Sequence, residues 1–483
     1  MMTSRRDMIR QAAASALLTG LPVRMWGAAR TMGEPDLRIG VLSDLHISLW
    51  PGMKTDPKAE MFRHALEYFR ERNVDGVLVC GDLTDTGLQD EFELMAGIWN
   101  SVFPDGRGKG GRPVANLMHY GDHDVEARFY RREILEPRYA RVGLPLSPSL
   151  SEGDLRKTLW EKCFGEEWMP IQHKKVKGYD FFLSHFMREA PGTAIGLNDI
   201  LEKANLDLSR PFFYSQHRYV GGTYLSDEEM WGGDSGRQRP VLEKFPNVVS
   251  FSGHTHYMLT DDRIVWQEGF TQINAGALKD APCGRQRENG VDISWYKNDY
   301  MRDTQMPCID NGQGHGGMVF NLYGNNVVLE RRDFGCDMPL GPDLVFSVAS
   351  KDRPRFAAAE LKKRSVAPEF PANAKVSVSR GKGKNRRGKS IEQISVSFPA
   401  AKKNGSRPRA FDYVVRATRN DGVVLKEKRV YSSGINLPPE KDTKEVKCVF
   451  AVSELASGTV RFTVAPANCW RVEGHSISCS IAI

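Results

Sequence analysis

With 483 residues, 40% of them hydrophobic, the chain is too long for one typical domain, and two or three packed units are expected. Formal net charge is +7; residues 1–29 hold four arginines against one aspartate, which leaves about +4 for the rest and argues against a nucleic acid or other polyanion as partner. Eight cysteines without a Cys-x-x-Cys pair argue against a thiolate zinc site and a small disulfide scaffold.

Ser4-Arg5-Arg6-Asp7-Met8-Ile9-Arg10 resembles a twin-arginine export motif, with Met8 and Ile9 where that motif usually has Phe and Leu, and Arg10 for Lys. Ala12 to Val23 is apolar, but shorter than the about 20 residues of a membrane span. Gly27-Ala28-Ala29 offers the small side chains of a cleavage site. Residues 1–30 therefore read as a signal for a periplasmic or secreted protein; the alternative is an amphipathic helix with a chance arginine pair. No later stretch is long and apolar enough for a transmembrane segment.

Leu37 to Ser43 reads as a buried strand ending at Asp44-Leu45-His46. Pro57 to Arg72 follows as a helix with Met61, Ala65, Leu66 and Phe69 on one face. Val74 to Cys80 is a second apolar strand, with Cys80 as a buried thiol, and it delivers Gly81-Asp82-Leu83-Thr84-Asp85. Leu88 to Trp99 is helical in pattern, and the strand Val114 to Tyr120 delivers Gly121-Asp122-His123-Asp124. This alternation predicts right-handed parallel crossovers, with ligands gathered at the carboxyl ends of the strands.

Residues 126–175 are charged and predict an insertion of helices and loops rather than sheet. Apolar runs resume at 179–183, 211–215 and 248–252; the second precedes His217 and the third Gly253-His254-Thr255-His256. Short antiparallel strands are expected at 263–266 and 270–273, and a hairpin turning at Gly324-Asn325-Asn326. The aperiodic stretch 279–316 reads as a lid or substrate wall.

From about residue 370 the pattern becomes alternating, with Asn420-Asp421-Gly422 as a hairpin turn. Six or seven strands in about 110 residues predict a β-sandwich of the fibronectin III-like kind over 370–483. The fold class is thus α/β over 37–345 with a smaller all-β sandwich behind it. One pair among Cys448, Cys469 and Cys479 is a candidate bridge. The basic run Arg380 to Lys389 reads as an exposed loop, either a solvated turn or a contact to phosphate-rich cell-envelope material.

Five of the eleven histidines stand in the short motifs already named, beside carboxylates and at strand ends. Oxygen and imidazole donors converging in this way are what a two-metal hydrolase requires, and they suit Fe, Mn or Zn. His185 competes with His217 as the isolated ligand, and His119 reads as packing. Trp50 either stacks on an aromatic leaving group or packs; Trp231 to Gly236 either walls a pocket or is a plain glycine loop.

The motif series Asp-x-His, Gly-Asp-x-x-Asp, Gly-Asp-His-Asp, lone His and Gly-His-x-His resembles the calcineurin-like metallophosphoesterases over roughly residues 37–335. The resemblance implies a β-sheet sandwich flanked by helices and two metal ions. One would be held by Asp44, His46, Asp82 and His256, the other by Asp82, Asp122, His217 and His254, with Asp82 shared. A hydroxide shared by the metals would attack phosphorus. His123 would act on the phosphoryl group, with Asp124 and Asp85 orienting it and the ligands. The implied function is phosphatase or phosphodiesterase action on a small phosphoester; a catalytically weakened binding protein and a nuclease are the alternatives.

Asp122 departs from the family pattern, which has Asn there. An ionised Asp is acceptor-only and lowers the charge of the site by one. Three consequences are open: preference for trivalent iron, preference for monoanionic diesters, or reduced activity.

Overall fold

The computed structural model describes residues 33–483, apart from 52, 152–154, 188–195, 224–232, 235, 280–286, 290–313, 386, 403–409 and 433–443. The expected signal therefore lies outside the described residues. The chain forms two units, Met1–Ala281 with Gly314–Ala357, and Pro282–Gln313 with Ala358–Ile483.

The first unit holds β1 (Leu37–Leu42), α1 (Pro57–Glu71), β2 (Gly76–Cys80), α2 (Gln89–Val102), β3 (Ala115–His119), α3 (Asp122–Arg141) and α4 (Leu155–Phe164). β4 (Ile171–Val176), β5 (Tyr179–Ser184), α5 (Leu197–Lys203), β6 (Phe212–Ser215), α6 (Arg239–Leu242), β7 (Val248–Ser252), β8 (Val265–Gln267) and β9 (Thr271–Asn274) follow. β10 (Gly316–Tyr323), β11 (Asn326–Asp333), β12 (Met338–Pro339) and β13 (Leu344–Ser347) complete it. One sheet runs β12-β11-β10-β1-β2-β3, with β13 also on β11; the other runs β4-β5-β6-β7-β9-β8. Strands β1, β2 and β3 are parallel, as are β5, β6, β7 and β9. The sheets stack through aromatic rings: Phe213 of β6 and Phe251 of β7 each lie 5.6 Å, centroid to centroid, from Phe320 of β10.

The parallel strands read as continuous apolar runs because they are covered on both faces; every residue of β2 and β7 is buried. Asp56 caps α1 through the Lys58 N–H, and Pro57 opens it. Ala59, Phe62, Ala65, Leu66 and Phe69 form its buried face, while Met61 is only partly buried. Phe69 fits where Gly40 of β1 has no side chain; a Cβ there would stand 2.5 Å from the ring. The stretch 126–175, expected to lack sheet, contains the edge strand β4, paired antiparallel with β5. The exposed His173 and Lys175 hid a strand that buries Ile171, Gln172 and Val176. No helix among the described residues is long and apolar enough to cross a membrane.

The second unit contains α7 (Ala358–Arg364), then β14 (Ser377–Lys384), β15 (Ser390–Pro399), β16 (Asp412–Arg419), β17 (Val424–Tyr431), β18 (Glu445–Ala451), β19 (Thr459–Ala467) and β20 (Ile477–Ala482). These strands form the antiparallel sheets β14-β15-β18 and β17-β16-β19-β20. Ile394, Val396, Phe398, Tyr413, Val415, Phe450 and Phe462 fill the core. Half of the basic run is strand rather than loop, since Arg380–Lys384 pair with Ser390–Ile394. Cys448, Cys469 and Cys479 are free thiols, so no pair among them is bridged.

The stretch 279–316, expected as a lid or substrate wall, behaves differently where it is described. Arg287, almost fully buried, bonds Asp412 Oδ2 at 2.8 Å. Asn289 exchanges two hydrogen bonds with the Tyr431 backbone. Residues 287–289 thus belong to the sandwich.

Phe69→Ala should cost about 3–5 kcal/mol of stability by opening a cavity under β1. Chemical denaturation followed by tryptophan fluorescence checks this, and a loss below about 1 kcal/mol would contradict the packing described.

Candidate metal centre

The carboxyl ends of β1, β2, β3, β6 and β7 converge on one place. Backbone bonds lash the first turns together: Asp44 N–H donates to the Gly81 carbonyl at 3.1 Å and His46 N–H to the Asp82 carbonyl at 3.0 Å. From the other sheet, Gly253 N–H donates to the His217 carbonyl, and His254 N–H to Asp44 Oδ2 at 3.0 Å. The approach tolerates no side chain at two glycines. A Cβ on Gly121 would lie 2.2 Å from Asp82 Oδ1, and one on Gly253 1.9 Å from Ser43 Oγ.

Asp44, His46, Asp82, His254 and His256 all adopt left-handed backbone, with φ between 47° and 69°. For non-glycine residues this conformation costs of the order of 1–2 kcal/mol each. Five such residues at adjoining strand ends mark a backbone bent to aim side chains at one point.

His46 and Asp82 form one group with His123. The side chains otherwise meet in two sets: Asp44, His46 and the partly buried His256 form one, and buried Asp82, Asp122, His217 and His254 the other. Asp82 Oδ2 lies between them, 3.4 Å from His46 Nε2 and 3.2 Å from His217 Nε2. On the first side His256 Nε2 stands 3.1 Å from both Asp44 Oδ1 and His46 Nε2. On the second, His217 Nε2 is 3.2 Å from Asp122 Oδ1 and from His254 Nδ1. Donor atoms each about 2.1 Å from a common cation stand about 3.0–3.4 Å apart, so both sets have the spacing of a coordination shell.

Charge and hydrogen bonding fit the same occupant. Asp44 Oδ1 and Asp122 Oδ1 are buried without a hydrogen-bond partner. Burial pushes the Asp44 and Asp122 carboxyls up, but imidazoles beside them (His256 and His46; His254 and His217) hold both well below the usual range. Burial pushes His217 down, yet Asp82 and Asp122 raise it well above its ordinary value. A field that raises a buried imidazole is one that attracts a cation.

Outer partners set the tautomers. His46 Nδ1 donates to Asp85 Oδ1 at 3.0 Å, and His217 Nδ1 to the Cys80 carbonyl at 2.8 Å, leaving both Nε2 lone pairs inward. Helix α3 starts at Asp122, and its His123 N–H donates to Asp82 Oδ1 at 2.8 Å, so the positive end of the helix faces the shared carboxylate. His123 Nδ1 lies 2.8 Å from the Asp85 carbonyl. Burial, then His46, lowers His123 to about 4.

Asp85 and Asp124 both sit behind the ligands. Asp85 orients His46 through its carboxylate and His123 through its carbonyl. The Asp124 oxygens accept from the N–H groups of Leu83, Thr84 and Gly121 and from the Thr84 hydroxyl. This clamps two ligand-bearing turns. Burial, then Asp82, pushes Asp124 up to about 7.

The competing His185 stays apart. Its Nδ1 accepts the Tyr120 N–H at 3.1 Å, and its ring packs among Tyr120, Trp160 and Trp168. His119 likewise packs in β3, bonded to Ser215 Oγ at 2.7 Å. Burial pushes the free Cys80 thiol up to about 12, which makes it inert. Trp50 lies under Arg138, 3.6 Å from ring centroid to guanidinium carbon.

Two arginines escaped the sequence reading, while Lys279 and Asp234 lay in stretches read only as a lid or substrate wall and as a pocket wall or glycine loop. Arg218 Nη2 bonds Asp122 Oδ2 at 2.9 Å. Arg131 pairs with Asp85, and Lys279 Nζ lies 3.9 Å from the same carboxylate. Buried Asp234 accepts from Gln216 Nε2 and from the N–H groups of Gly221 and Gly236, bracing the turn that carries His217. Arg131 had a signal, since it lies eight residues after His123 on one helical face; Arg218 had only its place beside His217.

Asp85→Ala should weaken metal binding about 10–100-fold, because His46 loses the acceptor that fixes its tautomer. Calorimetric metal titration checks this; unchanged affinity would remove Asp85 from the support of the site.

Comparison with known proteins places this geometry. Residues 37–258 match the family model described as calcineurin-like phosphoesterase. No curated protein matches the chain. Among solved structures, a dimetal phosphatase from Danio rerio is 12% identical, covers 65% of this chain and 100% of its own, and has a TM-score of 0.38. A purple acid phosphatase from yellow lupin is also 12% identical at TM-score 0.38, covering 64% of this chain, which spans about half (53%) of the lupin enzyme. Vacuolar protein sorting 29 from Cryptosporidium parvum is 14% identical, with 64% and 98% coverage and a TM-score of 0.29. Likenesses this weak carry no argument about this chain. The segment matched by the family model, residues 37–258, is the one that supplies every candidate ligand.

Proposed function

We propose that this protein is an exported hydrolase of small phosphoesters that works with two bound metal ions. The observation that carries the reading is Asp82 Oδ2, set between two donor groups of coordination-shell spacing. Asp44, His46, Asp82 and His256 would hold one cation, and Asp82, Asp122, His217 and His254 the other. Two such ions would polarise the phosphoryl oxygens and make water nucleophilic near neutral pH.

The chain's own residues supply the rest. Asp85 and the Cys80 carbonyl keep His46 and His217 in the ligating tautomer. Asp124 holds the Gly81–Thr84 turn against Gly121 and so fixes Asp82 relative to Asp122. His123, anchored through Nδ1 at the Asp85 carbonyl, would act on a phosphoryl or leaving-group oxygen. In hydrolysis the P–O ester bond breaks, the water oxygen bonds to phosphorus, and the leaving oxygen takes a proton.

The twin-arginine-like segment supports a periplasmic or secreted location. For residues 370–483, a sheet of the first, second and fifth strands facing one of the fourth, third, sixth and seventh supports the fibronectin III-like reading. Arg380 to Lys384, exposed or partly exposed on β14, leave a cell-envelope contact as part of the proposal.

Protein loaded with Mn²⁺, Zn²⁺ or Fe should hydrolyse a generic aryl phosphate. His254→Ala should lose more than the about 10–100-fold typical of an outer-shell change. A steady-state assay over a panel of phosphoesters checks both; full activity in His254→Ala would overturn the mechanism.

A further inference from the structure

Asp122 stands where the family pattern has an amide, and an amide does two things there: its oxygen can ligate and its N–H can donate, at no cost in charge. A carboxylate keeps only the first and subtracts one charge. Arg218 supplies what is missing. Its Nη2 binds Asp122 Oδ2 at 2.9 Å, while Asp122 Oδ1 faces His217 Nε2 at 3.2 Å. One carboxylate oxygen thus points to the metal donors and the other to the guanidinium.

The guanidinium has capacity to spare. Its Nε is buried with no hydrogen-bond partner, although the side chain as a whole keeps 23% of its surface exposed. Its central carbon lies over the Phe186 ring, 5.0 Å from the centroid. Held at one edge by Asp122 and at one face by Phe186, it can still offer planar N–H donors to an anion at the ligand cluster. Elsewhere around the centre, Asp85 is faced by two cations, Arg131 and Lys279. Arg218 offsets Asp122, and this second group carries one positive charge in excess.

Resting on the hydrolase reading above, we infer that Arg218 and Asp122 act together as the phosphate-recognition pair of this site, and that the pair selects phosphomonoester dianions over diesters. Asp122 ligates, Arg218 restores the charge that Asp122 removes, and its free N–H groups bind the non-bridging oxygens of the phosphoryl group. A diester presents one charge fewer and a second substituent against the fork, so it gains less from the pair.

The test uses the full-length, metal-loaded protein with inorganic phosphate as the probe. Binding is read by calorimetry, metal content by elemental analysis, and KM and kcat on an aryl monoester and its bis-aryl diester. Arg218→Ala should keep its metals, weaken phosphate binding about tenfold or more, and raise KM for the monoester more than for the diester. Arg218→Lys should recover only part, because it restores charge but not the fork. Asp122→Asn combined with Arg218→Ala should bind phosphate better than Arg218→Ala alone, since the amide makes the arginine dispensable.

Phosphate binding unchanged in Arg218→Ala, loss of metal from that variant, equal losses on monoester and diester, or a double variant no better than the single would each overturn the pair's role. If the parent protein binds phosphate through Arg218 but turns over no phosphoester, the pair stands and the hydrolase reading falls.

Discussion

The structure of the first unit depends on one carboxylate held between two sheets. Asp82 leaves the middle parallel strand of the first sheet in a left-handed turn, receives an N–H from the start of α3 on one oxygen, and turns the other toward histidines from both sheets. Such a group is stable only where positive charge surrounds it, because a buried carboxylate without compensation costs several kcal/mol. Burial raises its pKa, and His217 brings it back down against the opposing push of Asp122. The close backbone approaches at Gly121 and Gly253 follow from bringing the ligands within reach of this oxygen.

The energetic logic is that of a preformed cage. Left-handed ligand residues and unpartnered carboxylate oxygens are costs carried by the surrounding scaffold. Apolar burial along β1, β2, β7 and α1, with the aromatic stacking between sheets, supplies the compensation. Second-layer contacts remove what freedom remains: Asp85 fixes His46, Cys80 fixes His217, and Asp124 and Asp234 brace the turns. Bound cations would recover part of the cost as binding free energy, which couples metal affinity to the folding of this unit.

Much of this was legible in the sequence, and for physical reasons. Strands covered on both faces read as apolar runs, so 37–43, 74–80 and 248–252 located themselves and put their motifs at one sheet edge. Other features were hidden because no local pattern encodes them. β4 carries His173, Lys174 and Lys175 between its buried ends and so reads as a charged insertion. Residues 287–289 sit in sequence beside the first unit but join the sandwich through Arg287–Asp412 and Asn289–Tyr431, long-range pairs without periodicity. Arg218 acquires meaning only when the fold brings it to Asp122, and the question raised by an aspartate at that position is answered by a partner 96 residues away. Asp124 was read as orienting His123 and the ligands, and the hydrogen bonds it makes to the Gly81–Thr84 loop, which carries Asp82, appear only in the fold.

The central claim is that one Asp82 oxygen serves two metal sites. Elemental analysis of metal-loaded protein after desalting, for the parent chain and for Asp82→Ala, tests it most directly. The account predicts two metal ions per parent chain and fewer than one in the variant. A variant that retains both metals, or a parent that holds only one, would contradict it.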